Sequence, residues 1–301
     1  MSETETFRLP DGEEVGTGLL MPTADEMENA LRFDVYGEDR FLDPKDIERS
    51  LTGDKYKTFR RIRSRLIINQ GTIGKCCPSA VVGGFHNRRD LDGMAEIFLA
   101  DSHLYMNINR GRDSGSQLVN AMEYSTVNGI APVLLQVNGQ EQKFPLTLFN
   151  RKQVSQALLK AADDTAKTFQ SFEPYRVPVN DYQTFKIAVA SALARDHQII
   201  IAVHAGRSFT TLSRGYVQQA KGPGNHAVLL HSAKWVGGED LVHPDIQNSW
   251  GPSKNALLGR VGGMGWGEDG FGLITMSSLW QCAKNHVFWV LPGSKVNPGA
   301  I

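Results

Sequence analysis

The sequence is poor in cysteine. Its 301 residues hold three, Cys76, Cys77 and Cys282, two of them adjacent. That excludes a disulfide framework and fits a reducing compartment. Charge of either sign is also missing as a net quantity, because 32 Lys+Arg balance 32 Asp+Glu. Without a basic excess there is no basis for bulk attraction to nucleic acid or to a membrane surface. No stretch approaches the ~18 apolar residues of a membrane span. The opening MSETETFRLPDGEE has neither the basic nor the apolar part of a signal peptide. A cytoplasmic location is therefore expected. Internal repeats are absent. What is present, 41% apolar and 21% charged residues, is ordinary for a soluble globular protein.

Charge is uneven along the chain. Residues 1–30 carry eight acidic side chains and one basic one, Arg8, with little apolar periodicity. They read as an acidic arm, taken to extend over 1–50, that lies on the surface or stays partly disordered and regulates access or docks an assembly partner. Residues 44–66 reverse the sign, with eight Lys/Arg against three Asp/Glu. There Ile62 and Leu66 alternate with arginines as in a half-exposed strand. From about 76 to 195 the spacing is helical, over 94–107, 116–127 and 182–195, the last capped by Asn180 or Asp181. After 197 short strand-like runs follow, at 197–204, 227–231, 245–248, 271–275 and 286–291. Helices first and strands second imply an α+β protein of two lobes. Eight glycines fall within 251–272, so that stretch turns repeatedly.

Three segments carry residues suited to one chemistry. In Asn69-Gln-Gly-Thr-Ile-Gly-Lys-Cys76-Cys-Pro a cysteine opens a helix, where free N–H groups and a positive partial charge favour the thiolate. Gln70 lies six residues earlier and offers a side-chain N–H that, with the Cys76 N–H, makes a two-donor oxyanion hole. Next, His226 follows a Gly/Pro-rich turn and opens an apolar strand, where it is placed to take a proton from a thiol. In Asn248-Ser-Trp250-Gly251 an amide can orient the imidazole while an indole covers that hydrogen bond. Against this stands the commoner fate of cysteine and histidine as buried packing residues. The other seven histidines show no paired ligand spacing, so no metal and no cofactor is expected.

These segments, in this order, resemble the papain-like cysteine peptidase family. Its Gln-Gly-x-x-Gly-x-Cys matches Gln70, Gly71, Gly74 and Cys76; its His-Ala-Val matches His226, Ala227 and Val228. Its Asn-Ser-Trp-Gly matches residues 248–251, and its Trp-Gly-Glu-x-Gly-Tyr/Phe matches Trp266, Gly267, Glu268, Gly270 and Phe271. The resemblance covers about residues 66–291. It implies a papain-like two-lobe fold over 51–295, with a helical lobe at about 70–195, a β-sheet or barrel lobe at about 196–292, the active cleft between them, and a tail at 293–301. It implies hydrolysis of peptide bonds in a polypeptide substrate through a Cys76 thioester, with Cys76, His226, Asn248 and Gln70 catalytic. It also implies that Ser114, Gly115, Ala227 and Trp250 bind substrate, Ser114 and Gly115 as a groove wall that pairs with extended peptide. Neighbouring side chains on a helix point about 100° apart, so only one of the two cysteines can face His226; the Gln70 register selects Cys76.

The departures are Ile73 for a cysteine usually three residues before the nucleophile, Cys77 for the usual tryptophan, and a 14-residue interval between Gly251 and Trp266. Lys75 would favour the thiolate if it pointed inward. The alternative reading is a papain-like fold kept as a structural component, for example of a phage particle, with little turnover and virion-associated. A third, cell-wall cleavage by a Cys/His amidase, shares the order Cys then His but not Asn-Ser-Trp-Gly.

Overall fold

The computed structural model describes residues 6–9, 14–20, 28, 30, 33–53, 68–170, 173–177, 181–218, 222, 224–251, 266–267, 270–283 and 288–292. The expected Arg60–Leu66 strand, the 252–265 loop, Asn180, Glu268, His286 and the 293–301 tail lie outside them.

The chain begins with an antiparallel hairpin, β1 (Thr6–Arg8) and β2 (Glu14–Gly16). Helix α1 (Pro44–Thr52) starts at Asp43, whose side chain accepts from the Lys45 N–H, and buries Ile47 and Leu51 four residues apart. The basic stretch thus begins as a helix. Then comes α2 (Cys76–Leu91), buried over its first twelve residues. Helices α3 (Asp101–Ile108) and α4 (Leu118–Val127) follow, each shorter than the sequence periodicity predicts. The hairpin β3 (Leu134–Val137) and β4 (Gln140–Lys143) packs with α5 (Gln156–Ala166) around a satellite core that includes Val133, Leu135 and Phe144.

The second half is a sheet with two helices on one face. Its strands are β5 (Tyr175–Val177), β6 (Gln198–Val203), β7 (Leu212–Ser213), β8 (Tyr216–Val217), β9 (His226–Gly237), β10 (Leu241–Gln247), β11 (Phe271–Leu273) and β12 (Phe288–Leu291). They lie in the order β5-β12-β6-β9-β10-β11-β8-β7, antiparallel except for the β11–β8 contact. Helix α6 (Tyr182–Ala194) lies between β5 and β6 in sequence, the one-turn α7 (Arg207–Thr210) precedes β7, and α8 (Met276–Ala283) precedes β12. Asp181 caps α6 by accepting from the Thr184 N–H at 2.9 Å.

The central strands are buried on both faces, so their period-2 pattern separates two cores rather than core from solvent. Ile199, Ile201, Val203, Val228 and Leu230 face the core shared with α6 and α8. Ile200, Ala202, Ala227 and Leu229 face α2 and α4. Helix α6 therefore packs with the sheet, whereas the lobe boundary at about 195 places it with the other helices. Helical spacing reports which face is apolar and not which lobe receives it.

Helix α2 runs across the sheet with two glycines at its middle. A Cβ on Gly84 would lie 2.8 Å from Leu291 and one on Gly83 3.4 Å from Leu229. Glycine inside a helix costs about 1 kcal/mol relative to alanine. Here it lets the helix approach β9 and β12 closely. That approach brings the first turn of α2, with Cys76, against the start of β9, with His226.

Candidate active site

Cys76 and Cys77 are the first two residues of α2, and both are fully buried. His226 is the first residue of β9, and Asn248 directly follows β10. His226 Nε2 lies 2.8 Å from Asn248 Oδ1. Since the amide oxygen only accepts, that ring nitrogen is the donor, which leaves Nδ1 unprotonated in the neutral ring. The Trp250 indole stacks on the imidazole, with centroids 4.2 Å apart at 26°. Phe209 closes the stack edge-on, 5.8 Å from Trp250 and 6.0 Å from His226.

The electrostatics separate the two cysteines. Burial alone pushes the Cys76 thiol up. The neighbouring Cys77 and His226 side chains, the charge of the His226 ring and the Ala227 N–H outweigh it and hold Cys76 well below the usual thiol range. Burial pushes Cys77 up, and the neighbouring Cys76 adds to this. The Cys77 sulfur instead lies 3.3 Å from the Ser116 carbonyl. The two shifts run in opposite directions and single out Cys76 as the readier thiolate.

The remaining motif residues are scaffold for this pair. Trp266 N–H donates to the Trp250 carbonyl at 3.0 Å, and Asn248 N–H donates to the Gly270 carbonyl at 2.9 Å. The Trp266 indole stacks on Phe209 and donates to its carbonyl at 2.7 Å. Asn225 fixes the turn before His226, exchanging side-chain hydrogen bonds with the Ala205 backbone at 2.7 and 3.1 Å.

The structure is similar to solved structures that include cysteine proteases. Xylellain from Xylella fastidiosa aligns over 97% of this chain and 100% of its own, at 18% identity and a TM-score of 0.62. Procathepsin L 3 of Tenebrio molitor larval midgut aligns over 74% of this chain and 64% of its own, at 16% identity and 0.52. The Amb a 11 ragweed pollen protease in its proform aligns over 78% and 66%, at 16% and 0.50. No protein-family model and no curated protein matches the sequence. The chain has the papain-like fold. Its mix of helices and sheet agrees with the expected α+β, papain-like class, and these matches lend no support to a virion role.

Several expected residues sit differently on that papain-like frame. Gln70 is 2% exposed and its amide donates to the carbonyls of Ile73 and Gly16, both at 2.9 Å, while its oxygen accepts from the Ser249 hydroxyl. Both N–H groups are thus engaged, one of them by the N-terminal arm. Ala227 and Trp250, expected to bind substrate, are fully buried with the N-terminal segment in place; Ala227 packs toward α2, and Trp250 covers His226 and donates to the Gly16 carbonyl. Strand-like pairing at the groove wall falls on Ser116 rather than Ser114, with Gly115 at φ +88° beside it. Lys75 does point inward, but its ammonium meets Asp101 at 2.9 Å and the Leu146 carbonyl at 2.7 Å. Asp101 also accepts from Ser79 at 2.7 Å.

The arm holds the largest surprise. Far from lying on the surface, residues 15–18 are buried. Gly16 N–H donates to the Gly71 carbonyl at 3.0 Å, and the Gly16 carbonyl accepts from both Gln70 and the Trp250 indole, the latter at 3.2 Å. Ser116 N–H donates to the Gly18 carbonyl at 2.6 Å, and Leu20 N–H donates to the Ser116 carbonyl at 2.9 Å. Leu19 N–H reaches the Asn225 carbonyl at 3.1 Å. One extended segment therefore touches the loop before Cys76, the stretch at Ser116 and the turn before His226. Backbone contacts leave no side-chain pattern, which is why the sequence showed nothing of it.

Among the described residues no three His, Cys, Asp or Glu side chains form a metal-binding group, and no helix is long and apolar enough to cross a membrane. Burial pushes the imidazole of His86 down to about 3, helped by Arg89, and its Nε2 accepts from the Leu99 N–H at 2.9 Å. That histidine is a packing residue.

Proposed function

We propose that the protein is a cysteine peptidase that hydrolyses peptide bonds through a thioester on Cys76. The observation that carries this is the buried Cys76 thiol, held well below its usual range beside a His226 ring that Asn248 orients and Trp250 covers. Cys76 attacks the carbonyl as thiolate. His226 holds the thiol proton and gives it to the leaving amine, after which water releases the acyl group. The Cys76 N–H and the Gln70 amide stabilise the oxyanion. The three free cysteines fit a reducing compartment such as the cytoplasm.

The cleft is latent on this reading. Residues Gly16–Leu20 fill it, and the Gly16 carbonyl takes the donor that the oxyanion needs. The N-terminal arm is thus an intramolecular competitor of the substrate rather than a docking arm.

Two experiments on the full chain test these claims. A peptidyl vinyl sulfone should label Cys76 and no other cysteine, and Cys76→Ala should abolish cleavage of an unstructured protein. Labelling that misses Cys76 in the full chain and also in its Gly18→Ala variant would overturn the peptidase reading. Gly18→Ala places a Cβ 2.0 Å from the Gly74 carbonyl oxygen, so it should expel the segment and raise the labelling rate about tenfold or more. An unchanged rate would remove the latency claim and leave the peptidase claim standing.

A further inference from the structure

Nothing covalent ties the nucleophile loop to the opposite wall of the cleft, because all three cysteines are free. A short run of hydrogen bonds does join them. The Gly74 N–H donates to Asp113 Oδ1 at 2.9 Å. The Tyr105 hydroxyl donates to the same oxygen at 2.8 Å and accepts from the Gly115 N–H at 3.1 Å. Gly74 belongs to the loop before Cys76, and Gly115 to the wall whose next residue, Ser116, pairs with the extended segment. Tyr105 is fully buried on α3. Burial, and then the adjacent Asp113 charge, push its phenol far above the usual range, so it remains a hydroxyl donor at any working pH.

We propose that Asp113 and Tyr105 form a clamp that sets the spacing between the nucleophile loop and the groove wall, and so position both for gripping extended peptide. The slot it spans is one backbone wide. A Cβ on Gly18 would sit 2.0 Å from the Gly74 carbonyl oxygen, and one on Gly115 would sit 2.3 Å from the Gly18 carbonyl oxygen. The Ser116 bonds across the slot, at 2.6 and 2.9 Å, would pass out of hydrogen-bonding range if the walls parted by about 1 Å. The hydrogen bonds of the two clamp residues run to backbone N–H groups of the loop and the wall and to each other. Their role is therefore in binding, not in bond cleavage. One carboxylate oxygen receives both donors, which makes Asp113 the junction and Tyr105 the extension.

The clamp as a determinant of peptide binding rests on the peptidase reading, so the test separates the two. Variants are compared in the full-length Gly18→Ala chain, where the N-terminal segment does not compete. Asp113→Ala should raise KM for a peptide amide about tenfold with kcat within about threefold. The pH profile of Cys76 alkylation by iodoacetamide should stay unchanged. Asp113→Asn, whose amide oxygen still accepts both donors, should restore KM to within about twofold of its parent. Tyr105→Phe, a milder change that keeps the ring packing, should raise KM less than Asp113→Ala. An unchanged KM, or a kcat and an alkylation rate that fall in step with KM, would overturn the clamp. Hydrogen exchange decides without any turnover: segments 71–76 and 112–118 should lose protection in both Asp113→Ala and Tyr105→Phe. Retained protection overturns the clamp, whereas loss of protection in a chain that never labels at Cys76 leaves the clamp and removes the peptidase.

Discussion

The two sides of the candidate site are built from opposite materials. On the helix side, the residue before Cys76 is a buried lysine, and its ammonium meets a buried aspartate that also holds Ser79 of the same helix. On the sheet side, His226 is held by a neutral amide and by a stack of Trp250, Phe209 and Trp266. An ion pair taken out of water is tolerable only while both partners are present. Stacked rings and a neutral hydrogen bond lose their contribution gradually. Damage on the helix side should therefore register first as lost stability, and damage on the sheet side as a misaligned imidazole in a folded chain.

The harshest way to break this comparison is to remove one ion. Asp101→Ala leaves the Lys75 charge buried at 2% exposure and should cost about 3–5 kcal/mol, read from the urea midpoint. Lys75→Met with Asp101→Leu removes both charges and should recover most of that loss. A single variant that loses less than about 1 kcal/mol would show that the pair is not what holds the first turn of α2.

The next largest effect separates the adjacent cysteines. An ordinary thiol, with a pKa of about 8.5, is only a few tenths of a percent thiolate at pH 6. Cys76 is shifted down, so its thiolate is lost only as pH falls through that lowered value, and iodoacetamide should still label it at a pH where an ordinary thiol reacts poorly. Cys77 is shifted up, so its labelling should begin only at high pH. Quantified by peptide mass spectrometry, the ratio of Cys76 to Cys77 labelling at pH 6 should exceed roughly 100. A ratio near one would mean that the helix side does not distinguish them.

On the sheet side, Asn248→Ala removes a hydrogen bond to a ring that becomes charged. Such a bond is worth roughly 1.5–3 kcal/mol, so kcat should fall by about 10- to 150-fold. The Trp250 stack remains, so the urea midpoint should move far less than in Asp101→Ala. A stability loss equal to that of the ion-pair variant would erase the contrast between the two sides.

What the sequence made legible follows the same division. Cys76, His226 and Asn248 were readable because each needs one residue type at one place, and the glycines and tryptophans around them recur in fixed order. The α+β order was readable because period 3.6 gives way to period 2. The partners of Lys75 were not readable: Asp101 lies 26 residues away and Leu146 contributes only a carbonyl. Asp113 and Tyr105 were missed for the same reason, since they act on backbone N–H groups that every residue carries. Residues 16–20 bind almost wholly through backbone, and so an acidic, aperiodic stretch read as a surface arm.

The smallest expected effect concerns how the sheet side reaches across to the helix side. The Ser249 hydroxyl donates to the Gln70 oxygen, and Gln70 N–H donates to the Ser249 carbonyl at 3.0 Å. Ser249 therefore fixes which end of the Gln70 amide points its donors toward Gly16, and on the proposed function toward the oxyanion once Gly16 leaves. Ser249→Ala removes the side-chain bond and keeps the backbone one. A net loss of about 1 kcal/mol is expected, which should appear as about a fivefold drop in kcat with KM and the Cys76 alkylation profile unchanged. A drop as large as that of Asn248→Ala would mean that Ser249 also supports the imidazole, and an unchanged kcat would mean that the backbone bond and Ile73 orient Gln70 unaided.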